Sequence, residues 1–113
     1  MKPLLIIGAS SFGRLVQVLA EDCGREVAGF IDDFNSGGEI VGDRGELGTR
    51  LSPARFDLAL GVGYRHLTAR RNIMATHVSQ GFDFPPLIHP QARISRKARI
   101  GEGCLEAISG EHE

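Results

Sequence analysis

Leu4-Leu5-Ile6-Ile7-Gly8-Ala9-Ser10-Ser11-Phe12-Gly13 is the stretch that decides the fold. Four aliphatic residues that run straight into a glycine turn are too few for a membrane span or a secretory core, so they read as a buried strand. Behind the turn, apolar residues at 12, 15, 16, 19, 20 and 23 keep the period of an amphipathic helix from Phe12 to Cys23. Gly24 then supplies a left-handed stop. Val27 to Ile31 is a second apolar run that ends at the paired acids Asp32 and Asp33. Strand, helix and strand in this order make a right-handed βαβ unit with a parallel sheet.

The pattern continues outward. Asn35 to Gly48 holds five glycines around Ile40 and Val41, which predicts a loop with a small edge strand. Phe56 to Leu60 is the next buried strand and leads into Gly61-Val62-Gly63. From Tyr64 to Gln80, Leu67, Ile73, Met74 and Val78 mark one face of a helix, while Arg65, Arg70 and Arg71 fall mostly elsewhere; Gly81 ends it. Pro85 and Pro86 restrict 82–88 to an edge strand or an extended connector. After His89 and Pro90 the period changes, with Ala92, Ile94, Ala98, Ile100 and Cys104 at slots of a six-residue repeat that suits a β-helix coil. The expected fold class is therefore α/β, a Rossmann-like parallel sheet with flanking helices, followed by a partial β-helix coil. The expected division is 1–88 for the α/β domain, 89–105 for an incomplete hexapeptide-repeat stub and 106–113 for a polar tail.

The chain has 113 residues, enough for one domain. A formal net charge of −1 gives no field to hold a polyanion, which argues against nucleic acid as a partner. No segment suggests membrane insertion or export, and Cys23 and Cys104 form neither a disulfide framework nor a metal spacing, so a cytoplasmic setting is expected. Each cysteine reads as a small apolar filler. Of the histidines at 66, 77, 89 and 112, none sits at metal spacing or beside a nucleophile, so no catalytic residue and no metal site is nominated. His66 and His77 are expected on helix surfaces and His89 in a structural role.

Two turns are candidate anion sites. In Gly8 to Gly13 the glycines let backbone approach a phosphate, and the helix that follows offers unpaired amides and a positive dipole end. Ser10 occupies the place where the dinucleotide fingerprint needs its glycine, which weakens a reading as an NAD site. Ser10 or Ser11 could instead simply cap the helix. Gly61 and Gly63, with Arg65, repeat the arrangement at a second strand end. Asp32 and Asp33 end the strand between, where acids in open α/β sheets meet a ribose or base, although an acidic pair is also an ordinary solvated turn.

Taken together, residues 4–10, Gly-Phe-Ile-Asp-Asp (29–33), Val41-Gly42, Ala-Leu-Gly-Val-Gly (59–63) with Arg65, and Leu-Ile-His-Pro-Gln-Ala (87–92) running into Ala-Arg-Ile-Gly-Glu-Gly (98–103) resemble the sialic-acid O-acetyltransferase and bacillosamine-type N-acetyltransferase family. The likeness extends to about Leu105. It implies an N-terminal Rossmann-like domain that binds a nucleotide-linked sugar, here a UDP-sugar, and a C-terminal left-handed β-helix that binds acetyl-CoA, carries a catalytic histidine and assembles as a trimer. By position, the implied substrate contacts are Gly8, Ser10, Ser11, Gly13, Asp32, Asp33, Gly61, Gly63 and Arg65. Where the family continues its first turn with Gly-His-Gly, this sequence has Ser11-Phe12-Gly13, so Phe12 either narrows the pocket or enters the core.

Glu106 interrupts the hexapeptide repeat and Ser109 to Glu113 are mostly polar, so the stub is not expected to stand as a solenoid. The acetyl-CoA groove, the catalytic histidine and most of the trimer interface are then expected to be missing, with no cofactor bound by this chain. The leading expectation is a nucleotide-sugar-binding domain that does not catalyse alone, leaving its standing as an enzyme open and an oligomer possible. The alternatives are sugar acetyltransferase activity completed by further sequence or a partner chain, and an NAD(P)-binding oxidoreductase-like module.

Overall fold

The computed structural model describes residues 1–91 and 105–106. β1 (Leu4–Ile7), α1 (Ser11–Asp22), β2 (Val27–Ile31), β3 (Ile40–Gly42) and β4 (Asp57–Leu60) follow in chain order, then α2 (Leu67–Ser79) and β5 (Leu87–Ile88). The first four strands form one sheet in the order β3-β2-β1-β4, with every pair parallel. The chain therefore leaves β1 toward one edge for β2 and β3, then crosses to the other side for β4. That reversal puts a switch point at the carboxyl ends of β1 and β4, the place where open α/β sheets receive ligands.

Both faces of the sheet are covered, which explains the unbroken apolar run of β1. Leu4 and Ile6 point to the face where Phe30, Ala59 and Leu87 meet Val16 and Ala20 of α1. Leu5 and Ile7 point to the opposite face, with Ile31, Leu58, Leu60, Phe82 and Phe84, against which Ile73 and Met74 of α2 pack. Gly24 and Gly81 end the helices at φ of 78° and 100°, as the sequence predicts.

α2 departs from the predicted face. A 3-10 turn, Tyr64–His66, precedes it, Leu67 and Val78 are exposed, and the buried positions are Arg70 (8% exposed) and His77 (2%). Residues 70, 73 and 77 lie on one helical stripe, so the stripe is real but is made partly of polar residues that periodicity of apolar types passes over. Each has partners that make burial tolerable. Arg70 Nη1 donates to the Val62 carbonyl. His77 accepts from Arg44 Nε (3.1 Å) and meets Gln80 Oε1 (2.7 Å).

The proline-containing connector runs beside β4, where the Leu58 amide donates to the Asp83 carbonyl at 2.9 Å. β5 pairs in parallel with β6 (Leu105–Glu106), Leu87 with Leu105 and Ile88 with Glu106, a constant offset of 18 residues. That is the length of about three hexapeptides. The expected stub at 89–105 and tail at 106–113 fall mostly on 92–104 and 107–113, which lie outside the described residues.

Three glycines make the switch point. A Cβ on Gly61 would lie 2.6 Å from the Gly8 carbonyl oxygen and 2.9 Å from Gly13 Cα, and one on Gly13 would lie 2.0 Å from the same oxygen. β1, β4 and the first turn of α1 thus meet backbone to backbone. Gly61→Ala should cost about 1–3 kcal/mol of stability through overpacking. Gly63→Ala, with nothing within 4 Å of its Cβ position, should stay within about 0.5 kcal/mol of the wild type. Urea midpoints of the two variants check this, and a tolerated Gly61→Ala would contradict the contact.

Candidate functional site

The glycine contact brings both turns to one rim, and the hydrogen bonds there decide which amides face outward. The Gly8 amide donates to the Ile31 carbonyl and the Gly61 amide to the Ile7 carbonyl, both at 2.7 Å, so these two belong to the sheet. The Ala9 amide donates to Asp32 Oδ2 at 3.2 Å. Among the described residues, Ser10 and Ser11 remain with uncommitted backbone amides at the start of α1, and Val62 and Gly63 at the adjacent second turn. Ser10 is the N-cap residue by position, but its side chain makes no capping bond, so the simple capping role is not the one observed. Gly13 is buried under the turn, and its contribution is the close approach rather than a surface for a ligand. Phe12 packs, partly buried, against the core on the α1 side.

Asp32 is the clamp of this rim. Its Oδ1 accepts from the amides of Phe34 (2.8 Å) and Asn35 (2.9 Å) and from Asn35 Nδ2 (3.3 Å), while Oδ2 reaches back to Ala9. The Phe34 amide above all, with those of Asn35 and Ala9, stabilises the carboxylate and holds its pKa below the ordinary value, against a partial loss of solvation. The sequence placed Asp32 against a ribose or base; in the fold its oxygens are taken largely by backbone donors. Asp33 uses Oδ1 to accept the Arg44 amide at 2.8 Å and is exposed. Arg65 is also exposed, on the 3-10 turn before α2.

Beside the clamp lies an open depression of about 420 Å³, lined by Asp32, Asp33, Phe34, Ile40, Val41 and Asp43 among others. Its walls are acidic and aliphatic, so phosphate is disfavoured there and neutral groups that donate hydrogen bonds are favoured. Two residues that sequence reasoning placed on the surface or away from the core support the rim. Arg70 fixes the Val62 carbonyl of the second turn, and His77 holds Arg44, whose amide in turn holds Asp33. No signal in residue type marks these roles, because each partner is far away or is a backbone atom.

The sequence profile of the PglD N-terminal domain family matches residues 3–76. The chain belongs to this family. Among solved structures, it is similar to the acetyltransferase domain of PglB from Neisseria gonorrhoeae FA1090 in complex with acetyl coenzyme A, with 34% identity and a TM-score of 0.81. It is also similar to a variant of perosamine N-acetyltransferase from Caulobacter crescentus in complex with CoA and GDP-perosamine, with 26% identity and a TM-score of 0.80. The matches cover 92% and 93% of this chain but 52% and 51% of those proteins, so the chain spans about half of their length. No curated protein sequence matches it. Among the described residues no helix is long and apolar enough to cross a membrane, and no group of three or more His, Cys, Asp and Glu could hold a metal ion.

The clamp and the buried histidine both predict a loss of stability as pH falls, but in different pH ranges. Asp32 has a lowered folded pKa, so its stabilisation is present above the ordinary carboxylate value and is lost as pH falls through the folded value. Asp32→Ala should cost about 1–3 kcal/mol at neutral pH. That cost should shrink as pH falls below the ordinary carboxylate value of roughly 4, where the unfolded chain takes up the proton first, and vanish once pH has passed the lower folded value. An Asp32→Ala deficit that stays constant from pH 7 to pH 3 would exclude the clamp.

His77 has a lowered folded pKa because burial disfavours its charged form, with Arg44 adding to the effect, while Gln80 and Asp33 oppose it. Its neutral form folds best, so stability is complete above the ordinary histidine value near roughly pH 6.5 and declines as pH falls through it. Thermal midpoints from pH 7 to pH 5 should fall more steeply for the wild type than for His77→Gln. Parallel slopes would remove His77 as the source.

Proposed function

We propose that this chain is the nucleotide-sugar-binding domain of a sugar acetyltransferase. The diphosphate lies over the start of α1, between the turns at Ser10-Ser11 and Val62-Gly63. The nucleoside extends along the carboxyl end of β2, past Asp32, toward Asp33. The single observation that carries this reading is the backbone contact among Gly8, Gly13 and Gly61, which joins two turns and one helix start at the switch point. Membership of the PglD N-terminal domain family supports it, as does a neighbour determined with GDP-perosamine.

The chemistry is positioning by backbone. A helix start favours a negative charge by about 0.3–1 kcal/mol at an exposed site, so a diphosphate needs several amides as well as the dipole. Arg65 stands near enough along the chain to add a charge from the second turn, and Ser10 and Ser11 add hydroxyls. By the sequence resemblance the nucleotide is UDP. The whole protein is proposed to transfer an acetyl group from acetyl-CoA to the bound sugar, with the chemistry carried outside this domain.

Calorimetric titration of the chain with UDP, GDP, a UDP-amino sugar and NAD tests the reading. Saturable binding of UDP and its amino sugar is expected, with NAD silent. Preference for GDP would replace the base and keep the site, whereas NAD binding with both diphosphates silent would overturn it in favour of an oxidoreductase-like module.

A further inference from the structure

Phe34 is 95% exposed, and a lone apolar side chain on a surface is ordinary. Three features set this one apart. Its backbone is pinned, because its amide and that of Asn35 both donate to Asp32 Oδ1. It is one of the residues that line the 420 Å³ depression, where Ile40 and Val41 of β3 supply an aliphatic wall. Asp32 also touches Ala9, so the same carboxylate joins this depression to the first glycine turn.

We propose that Phe34 is the stacking residue for the nucleobase of the bound nucleotide, an inference that rests on the nucleotide-sugar reading above. A planar base offers a face to the ring and N–H groups at its edge to acceptor-only carboxylates such as Asp33 and Asp43, which repel phosphate. The two halves of the ligand are thereby sorted. Anionic phosphates go to the amides at the start of α1, and the neutral base goes to the acidic, aromatic-edged depression. Because every base has a π-face, stacking supplies affinity while the edge contacts select the base.

Calorimetry with UDP, GDP and inorganic pyrophosphate on the wild type, Phe34→Ala and Phe34→Trp tests the assignment. Phe34→Ala should weaken the preferred nucleoside diphosphate by about 5- to 150-fold and leave pyrophosphate unchanged. Phe34→Trp should keep nucleotide affinity, and its indole fluorescence should change on nucleotide addition but not on pyrophosphate addition. Wild-type nucleotide affinity in Phe34→Ala would overturn the stacking role while leaving the binding domain intact. Equal losses for nucleotide and pyrophosphate would assign Phe34 to loop structure and overturn it as well. A wild type that binds no nucleotide would overturn both this inference and the reading beneath it.

Discussion

Backbone packed against backbone at Gly8, Gly13 and Gly61 is the constraint on which the rest of the molecule depends. With a side chain at any of the three, β1, β4 and the first turn of α1 could not share one point, since the Cβ positions fall 2.0 to 2.9 Å from neighbouring backbone atoms. Because they do share it, the helix start, the end of the central strand and the second turn face the same side of the sheet. The strand order β3-β2-β1-β4 then leaves that rim open instead of covering it with a crossover. Packing at this point and the placing of the proposed ligand site are the same event.

The rim also shows how hydrogen bonds apportion function. The Gly8 and Gly61 amides are used to close the sheet, and the Ala9 amide is used to seat Asp32. A charge-assisted bond of this kind contributes about 1.5–3 kcal/mol, more than an exposed helix dipole contributes to holding an anion. The acid is therefore better accounted for as part of the rim's framework than as a free ligand group. Asp33, exposed and bonded through Oδ1 to the Arg44 amide, keeps more capacity for a ligand.

The first βαβ unit was legible in full, because Leu4 to Ile31 carries its own instructions: contiguous aliphatic strands, a 3.6-residue stripe between them and a glycine stop. The convergence of the two glycine turns was likewise a consequence of parallel strands with ligand ends on one rim. Arg70 and His77 were not legible. They sit on the buried stripe of α2, but their partners, the Val62 carbonyl and Arg44, are brought near only by the tertiary fold, so a rule based on apolar periodicity assigns them to solvent. Leu67 and Val78 were misplaced for the complementary reason, since the face of α2 turned to the sheet carries Arg70, Ile73 and His77 and leaves these two outside it. Phe34 is not marked out in the sequence, because its setting, a depression walled by a strand several residues downstream, is made only by the tertiary fold.

The central claim is that one bound nucleotide touches both turns at once. Amide chemical shifts followed by nitrogen-15 NMR during titration with the preferred nucleoside diphosphate measure this directly. The account predicts that Ser10 and Ser11 shift together with Val62 and Gly63 along a single saturation curve. Shifts confined to one turn, or two sets with different midpoints, would contradict a shared cradle.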